Sequence, residues 1–468
     1  MFDLVITKGR VVTANFDLVL DIGIKDEKIA ALATAGSLAD QADAVIDASS
    51  KFVFPGGVDS HVHFDTNLSQ YMTAQSAEAG SRAGIWGGTT TYLDFSFQAG
   101  SQGLVDSIQK KLKITADQPV HADYALHAML TGAFPLSIND ELDDAISGGV
   151  NGFKMFTTFG ADGSVGGMFT DDGRIYSVMR HVADSGDGNV LIHAEDDCVI
   201  DFHVRALTAA GRSGIQHIHE ARPNLAEEAA VGRMLLLAKR TGCPLYIVHI
   251  STHEAVEAID RARYEGTHVT AEVLHNQLEF SPDVYAKQHG AMYMNYPPFK
   301  SNHDRQELWK GLQAERIHTV ASDDFAIPWE NKISGSRIDN ATGGHNGIET
   351  RMLYLFSEGV AAGRITPQQF VQTTAANPAK IFGIHPQKGD IAVGSDADLI
   401  IIDPAATTVI RQEELHSDIP YSVWNGRTFN GALTTIILRG HALVSDGAWV
   451  GPATGIGRFV PSRRPSLI

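Results

Sequence analysis

The chain has 468 residues, 43% of them hydrophobic and 20% charged, with a formal net charge of −18. This length and apolar content suit one large domain plus a smaller one and exclude a disordered chain. The acidic balance excludes a nucleic-acid surface, which needs a basic face, and no apolar run approaches the length of a membrane span. The start, MFDLVITKGR, carries an acid at position 3 and no apolar h-region, so no signal peptide is expected. Cys198 and Cys243 are the only cysteines, too few for a disulfide framework, and a cytoplasmic location is the simplest expectation.

In chain order, about the first fifty residues read as short strands: DLVITKGRVVT, LVLDIGIKDEKIAAL and ADAVIDAS alternate apolar and polar residues around Lys-Gly and Asp-Glu turns. At PGGVDSHVHFD, Pro55 to Asp65, an apolar run ends on His61 and His63. Side chains alternate faces along a strand, so both imidazoles point the same way and can grip a metal. From there to about Ile384, short apolar runs such as VLIHAED, PLYIVHIS and IHTVASDD alternate with helical segments such as LAEEAAVGRMLLLAKRTG and THEAVEAIDRARYEG. That βαβα rhythm predicts an α/β fold, a (β/α)8 TIM barrel with insertions. Strands and tight turns return in GSDADLIIIDP and LTTIILRGHALVSDGAWVG. Because both ends are β-rich, residues 1–53 and 385–468 are expected to form one small β-sandwich domain flanking a barrel over 54–384.

Four further groups sit where apolar runs end: Lys154 in GVNGFKMFTTFG, His193 in NVLIHAED, His249 in PLYIVHIS and Asp323 in RIHTVASDD. In a parallel barrel this is the C-terminal rim, where active sites are built. One such Lys or His is usually a satisfied packing residue. The ordered set His-x-His, Lys, His, His, Asp, each on a separate run, points instead to a metal centre. A second His-x-His, His217 and His219 in QHIHEAR, ends no apolar run and reads as loop. His275, in AEVLHNQLEF, either faces the site or packs behind it.

These motifs resemble the amidohydrolase superfamily, and within it the dihydropyrimidinase/hydantoinase family, nearly end to end. FVFPGGVDSHVHF is similar to that family's first barrel strand, and GFKMF to the segment carrying its carboxylated lysine. YPPFKSNHDRQELW resembles its substrate loop, GHNGIETRMLYLFSEGV its Gly-x-Asn-Gly segment, and KIFGIHPQKGDIAVGSDADLIIIDP its return to the small sheet. The resemblance implies a hydrolase that opens a cyclic amide (a hydantoin, dihydropyrimidine or related cyclic ureide or imide) by attack of a metal-bridging hydroxide. It implies two divalent ions per subunit, zinc first, with manganese or cobalt as alternatives. Lys154 would be N6-carboxylysine bridging them; His61 and His63 would hold one ion with Asp323, and His193 and His249 the other. Asp323 would also be the general base and acid. A homotetramer acting on a small molecule, with no nucleic-acid or membrane partner, is the implied assembly.

The chemistry suits these residue types. Hydrolysing an amide near pH 7 needs a hydroxide and a polarised carbonyl, and paired divalent metals about 3.5–4 Å apart supply both. Lysine is a poor bridge until carbon dioxide makes it an anionic carbamate with one oxygen for each metal.

The pocket departs from the family. Five residues after the lysine, where the family has a tyrosine whose hydroxyl holds the oxyanion, stands Phe159. Tyr296 precedes the Pro-Pro pair in place of a serine or threonine, and Asp324 follows Asp323 where His or Gln is common. Asn346 matches the family's asparagine, whose backbone grips the imide. Phe159, Tyr296 and Asn346 are thus the expected substrate-binding positions, for a substrate with an aromatic or alkyl face. An allantoinase-like or atypical amidase of the same superfamily is the alternative. A non-catalytic scaffold is disfavoured, because all six metal positions are filled.

Overall fold

A computed structural model describes residues 1–69, 72–98, 100, 102–160, 167–466 and 468. Eight parallel strands follow one another around a nearly closed barrel: Gly57–Val62, Thr89–Gln98, Asp123–Leu130, Gly152–Phe156, Asn189–His193, Leu245–Ile247, Val269–Leu274 and Thr319–Ala321. Last and first strands meet at a bridge between Val62 and Asp324, where the His63 N–H donates to the Asp324 carbonyl at 2.8 Å. The period of two sorts the side chains. Phe153 and Met155 face the outer helices while Phe156 joins the barrel interior, and Val190 and Ile192 face outward while Leu191 joins Val58, Leu93 and Tyr246 inside. Lys154 and His193 therefore point inward.

The helices between strands carry local start and stop signals. Asn224–Thr241 ends on Gly242, whose φ of 75° is the left-handed conformation glycine adopts without strain. His253–Tyr264 begins after Thr252, whose side chain accepts from the Ala255 N–H. Among the described residues, no helix is long and apolar enough to cross a membrane.

The second domain is a small β-sandwich built on a nine-stranded mixed sheet from both ends of the chain. Its join is the strand Phe52–Pro55, parallel to Phe2–Val12 on one side and antiparallel to Leu399–Val409 on the other, with Leu399 opposite Pro55 and Ile402 opposite Phe52. Ile6, Ile24, Val53, Leu399 and Ile437 share its core. The Asp-Glu turn is present: Asp26 and Glu27, with φ of 50° and 66°, link Asp17–Lys25 to Lys28–Thr34 as a tight hairpin. The expected Lys-Gly turn is instead a bulge within one long strand, Phe2–Val12, with register slipping between Ile6 and Gly9. A Cβ on Gly9 would stand 2.4 Å from Val53, so only glycine lets the strands close there.

A buried ionic knot ties the two domains. The Lys388 ammonium lies 2.5 Å from Asp123 on the third barrel strand, 2.9 Å from Asp396 and 2.8 Å from Asp398, and Arg439 also pairs with Asp123. Three carboxylates gathered this way resemble a cation site, but the lysine already occupies it.

Candidate metal centre and substrate cleft

His61 is buried, and its Nδ1 lies 2.7 Å from Oε1 of Glu272 on the seventh strand. Glu272 also accepts from the hydroxyls of Tyr246 at 2.8 Å and Ser60 at 3.1 Å, and from the His249 N–H at 3.1 Å. A carboxylate so placed accepts a hydrogen bond from Nδ1–H, fixing the tautomer that leaves His61 Nε2 with a lone pair. That Nε2 stands 3.2 Å from His63 Nε2, and each is 3.3 Å from Asp323 Oδ1. Two imidazole nitrogens and a carboxylate oxygen, all within 4.8 Å of one another, make a donor set for a divalent cation.

A second pair lies beside it. His193 Nε2 donates to Glu195 Oε2 at 2.8 Å, leaving Nδ1 free to coordinate, and Glu195 is held in turn by Arg222 Nη1 at 2.5 Å. The His249 ring centre is 4.4 Å from that of His193 and 5.6 Å from that of His61, and its Nδ1 is buried with no partner among the described residues. Lys154 is buried between them, its Nζ 5.5 Å from the Phe95 ring centre and 5.2 Å from that of Phe156.

Burial dominates the electrostatics. It lowers the Lys154 pKa to about 8 against the pull of Asp323 and Glu272, so the neutral amine is accessible near neutral pH. It lowers His63 to about 4 despite the hydrogen bond to Asp323, and with the charges of His193 and Lys154 it holds His249 well below the usual range. Burial alone would raise the Asp323 carboxyl, but His61, the hydrogen bond from His63 and the nearby Lys154 outweigh it and lower Asp323, so that it stays ionised. Asp323, His249 and Phe159 have φ of 50°, 38° and 64°, a left-handed backbone that non-glycine residues adopt under strain, as at functional sites.

All six expected metal positions open onto one cleft of about 580 Å³. Phe156, Phe159, Met129, Met168, Tyr296 and Phe325 give it an apolar wall. Phe159 stands edge-on to His193 at 5.0 Å and to Tyr296 at 5.2 Å, and the Arg222 guanidinium lies 4.4 Å over the Tyr296 ring. The Tyr296 hydroxyl donates to the Ala341 carbonyl at 2.8 Å. The Asn346 side chain is elsewhere: its Nδ2 donates to the Tyr421 carbonyl at 2.7 Å, in a separate crevice beside Asp324 and Ile348. Of the two readings of His275, packing holds: it stacks on Trp424 at 5.0 Å and meets Thr350 Oγ1 at 3.2 Å. His217 and His219 form short helical turns rather than loop, and His217 pairs with Glu220 at 2.8 Å. Asp324 is a brace, accepting from the Gly347 and Ile348 N–H groups at 2.7 and 3.0 Å and from Gln75 Nε2 at 3.0 Å.

Glu195, Arg222, Glu272 and Asn295 escaped sequence reasoning. A signal existed for two of them: Glu195 follows His193 by two residues, and Glu272 is an acid inside an apolar strand.

Residues 52–443 match the model of the Amidohydrolase family. The chain is 34% identical to a D-hydantoinase from Streptomyces coelicolor over 464 residues, covering 98% of this chain and 97% of that one. It is 33% identical to a D-phenylhydantoinase from Escherichia coli (strain SE11) over 426 residues, covering 90% and 89%. The crystal structure of a dihydropyrimidinase from Brevibacillus agri NCHU1002 superposes with a TM-score of 0.91 at 30% identity, covering 99% of both chains.

Proposed function

Since the chain belongs to the dihydropyrimidinase/hydantoinase family of the amidohydrolase superfamily and is a hydrolase of cyclic amides, we propose that it opens a hydantoin-like ring bearing an aromatic or alkyl substituent, at a centre built for two divalent ions. The observation that carries this reading is the convergence of His61, His63 and Asp323, beside His193 and His249, on a cleft with an apolar wall.

The donors fit a metal pair. His61, His63 and Asp323 suffice for one ion. His193 and His249 offer only two side-chain donors for the other, and the oxygen they lack is what Lys154 gains as a carbamate. Its buried, readily neutral amine is the form that takes up carbon dioxide. When bound, two ions, zinc in the first instance, supply a hydroxide at neutral pH and polarise the carbonyl.

The protein's own groups do the rest. The apolar wall seats the substituent and keeps bulk water from the side of the cleft that holds it. Asp323, ionised and on the rim, takes a proton from the attacking water and delivers it to the leaving ring nitrogen. Backbone around Asn346 remains our proposed contact to the imide. Two free cysteines support a cytoplasmic setting, and family membership supports a homotetramer. We also propose residues 1–53, 54–384 and 385–468 as the domain limits.

The test is a ring-opening screen of metal-replete protein against hydantoin, phenylhydantoin, dihydrouracil and allantoin. Faster opening of phenylhydantoin than of dihydrouracil is expected; opening of allantoin alone would reject this substrate assignment.

A further inference from the structure

Adding water's oxygen to an amide carbon drives negative charge onto the carbonyl oxygen, and a fixed donor at that oxygen lowers the barrier. Phe159 has no donor. Among the described residues, the other hydroxyls at the cleft are engaged, Tyr296 with the Ala341 carbonyl at 2.8 Å and Thr66 with the Phe64 carbonyl at 3.3 Å. His275 is turned away onto Trp424. Asn295 differs from all of these. It lines the cleft alongside the metal-site residues, is only 2% exposed, and its Nδ2 is buried with no hydrogen-bond partner among the described residues. Native structures rarely bury an amide N–H unpaired, because desolvation is then uncompensated. At the wall of a substrate cleft, an oxygen of a bound ligand is a partner such a donor would take up.

The segment around Asn295 is held rigid. Lys332 Nζ donates to the carbonyl of the preceding residue, Met294, at 2.7 Å. Its other hydrogens go to Thr342 at 2.8 Å and Gly344 at 2.5 Å, so one buried ammonium ties Asn295 to the Gly343–Gly344 strip that also lines the cleft. The following residue, Tyr296, is packed against both Phe159 and Arg222. A donor fixed before substrate arrives needs no reorganisation during the reaction.

We propose that Asn295 is a catalytic residue whose side-chain N–H donates a hydrogen bond to the scissile carbonyl oxygen as that oxygen becomes an anion, filling the role for which Phe159 has no group. This rests on the ring-opening reading above. Water's oxygen bonds to the carbonyl carbon and the C=O electron pair moves onto the oxygen facing Asn295. The pair then returns as the ring C–N bond breaks, and the nitrogen receives the proton held by Asp323, giving the open-chain acid.

The test compares metal-replete wild type, Asn295→Leu, and Asn295→Leu combined with Phe159→Tyr, on phenylhydantoin. Asn295→Leu is expected to lower kcat by about 10²–10³-fold with KM and metal content little changed. Its melting temperature should hold or rise, since leucine buries no unpaired donor. In the double variant, the hydroxyl introduced by Phe159→Tyr should restore at least about tenfold of the lost turnover. Turnover of Asn295→Leu within about threefold of wild type, or a melting temperature lowered by about 4 °C or more together with lost turnover, overturns the proposal alone. A wild type that opens no ring in the screen overturns the ring-opening reading and this proposal with it.

Discussion

The guanidinium of Arg222 stands 4.4 Å over the ring of Tyr296 while its Nη1 lies 2.5 Å from Glu195. One side chain thus joins the substrate wall to the carboxylate that orients His193. Partners of ligating histidines typically contribute 10–100-fold to metal affinity. Arg222→Met removes the arginine counter-charge of Glu195 and is expected to weaken binding of the ion assigned to His193 and His249 by about that factor, measured by equilibrium dialysis against zinc. Unchanged affinity would detach Arg222 from the centre.

Lys154→Ala removes the only group on the fourth strand able to bridge two ions. Because its Nζ faces the cleft rather than a structural partner, the fold should survive while one ion and most activity are lost. A short carboxylic acid added to this variant should partly restore metal content by supplying two oxygens. Two ions bound to the variant without any added acid would contradict the bridging role.

Phe159→Tyr places a hydroxyl where the resembled family has one. We expect higher turnover of dihydrouracil and simple hydantoins, by less than the about 10²–10³-fold a lone donor supplies, because Asn295 already donates there. Efficient dihydrouracil opening by the wild type, unaffected by Phe159→Tyr and by Tyr296→Phe, would show the apolar wall to be irrelevant to choice of substrate.

Acid should destabilise the protein. Burial holds His127, His318 and His345 neutral, each lowered from 6.5 to about 3, and His318 Nδ1 spends its lone pair on the Ala271 N–H at 3.0 Å. Between pH 6.5 and about 3 the unfolded chain binds protons that the folded chain refuses, so their contribution is complete above pH 6.5 and shrinks as pH falls. Asp94 and Asp324, raised by burial from 3.8 to about 6, act in the opposite sense between those values. Burial also raises Asp59, Glu227, Glu279 and Asp398 and lowers His121, His219 and His275. With His63 and His249 at the centre, the lowered imidazoles outnumber the raised carboxyls, and each net proton amounts to about 1.4 kcal/mol per pH unit. Urea midpoints should therefore fall steadily from pH 7 to pH 5; a flat or rising series would contradict this.

The barrel and the gathering of the six rim residues on one cleft were legible because period-two strands ending in His, Lys or Asp write their geometry into short windows of sequence. His61 and His63 needed only the pleat to share a face. What stayed hidden depends on contacts across the fold. Glu272 meets His61 across 211 positions, and Arg222 reaches Glu195 from an irregular turn after a short helix. Asn295 shows its unpaired amide only once its surroundings are known. Lys8-Gly9 reads as a turn locally and becomes a bulge because the Phe52–Pro55 strand lies against it.

The hydrogen bond from the His63 amide to the Asp324 carbonyl closes the barrel between its first and last strands, and His61, His63 and Asp323 sit at the ends of those same two strands. A cation shared by the three would clasp the hoop where it is otherwise fastened most sparingly. Chelation should therefore speed deuterium uptake at the His63 amide while leaving that of Ile22, in the small sheet away from both ions, unchanged. In such a molecule, loading the ion and tightening the scaffold are one event.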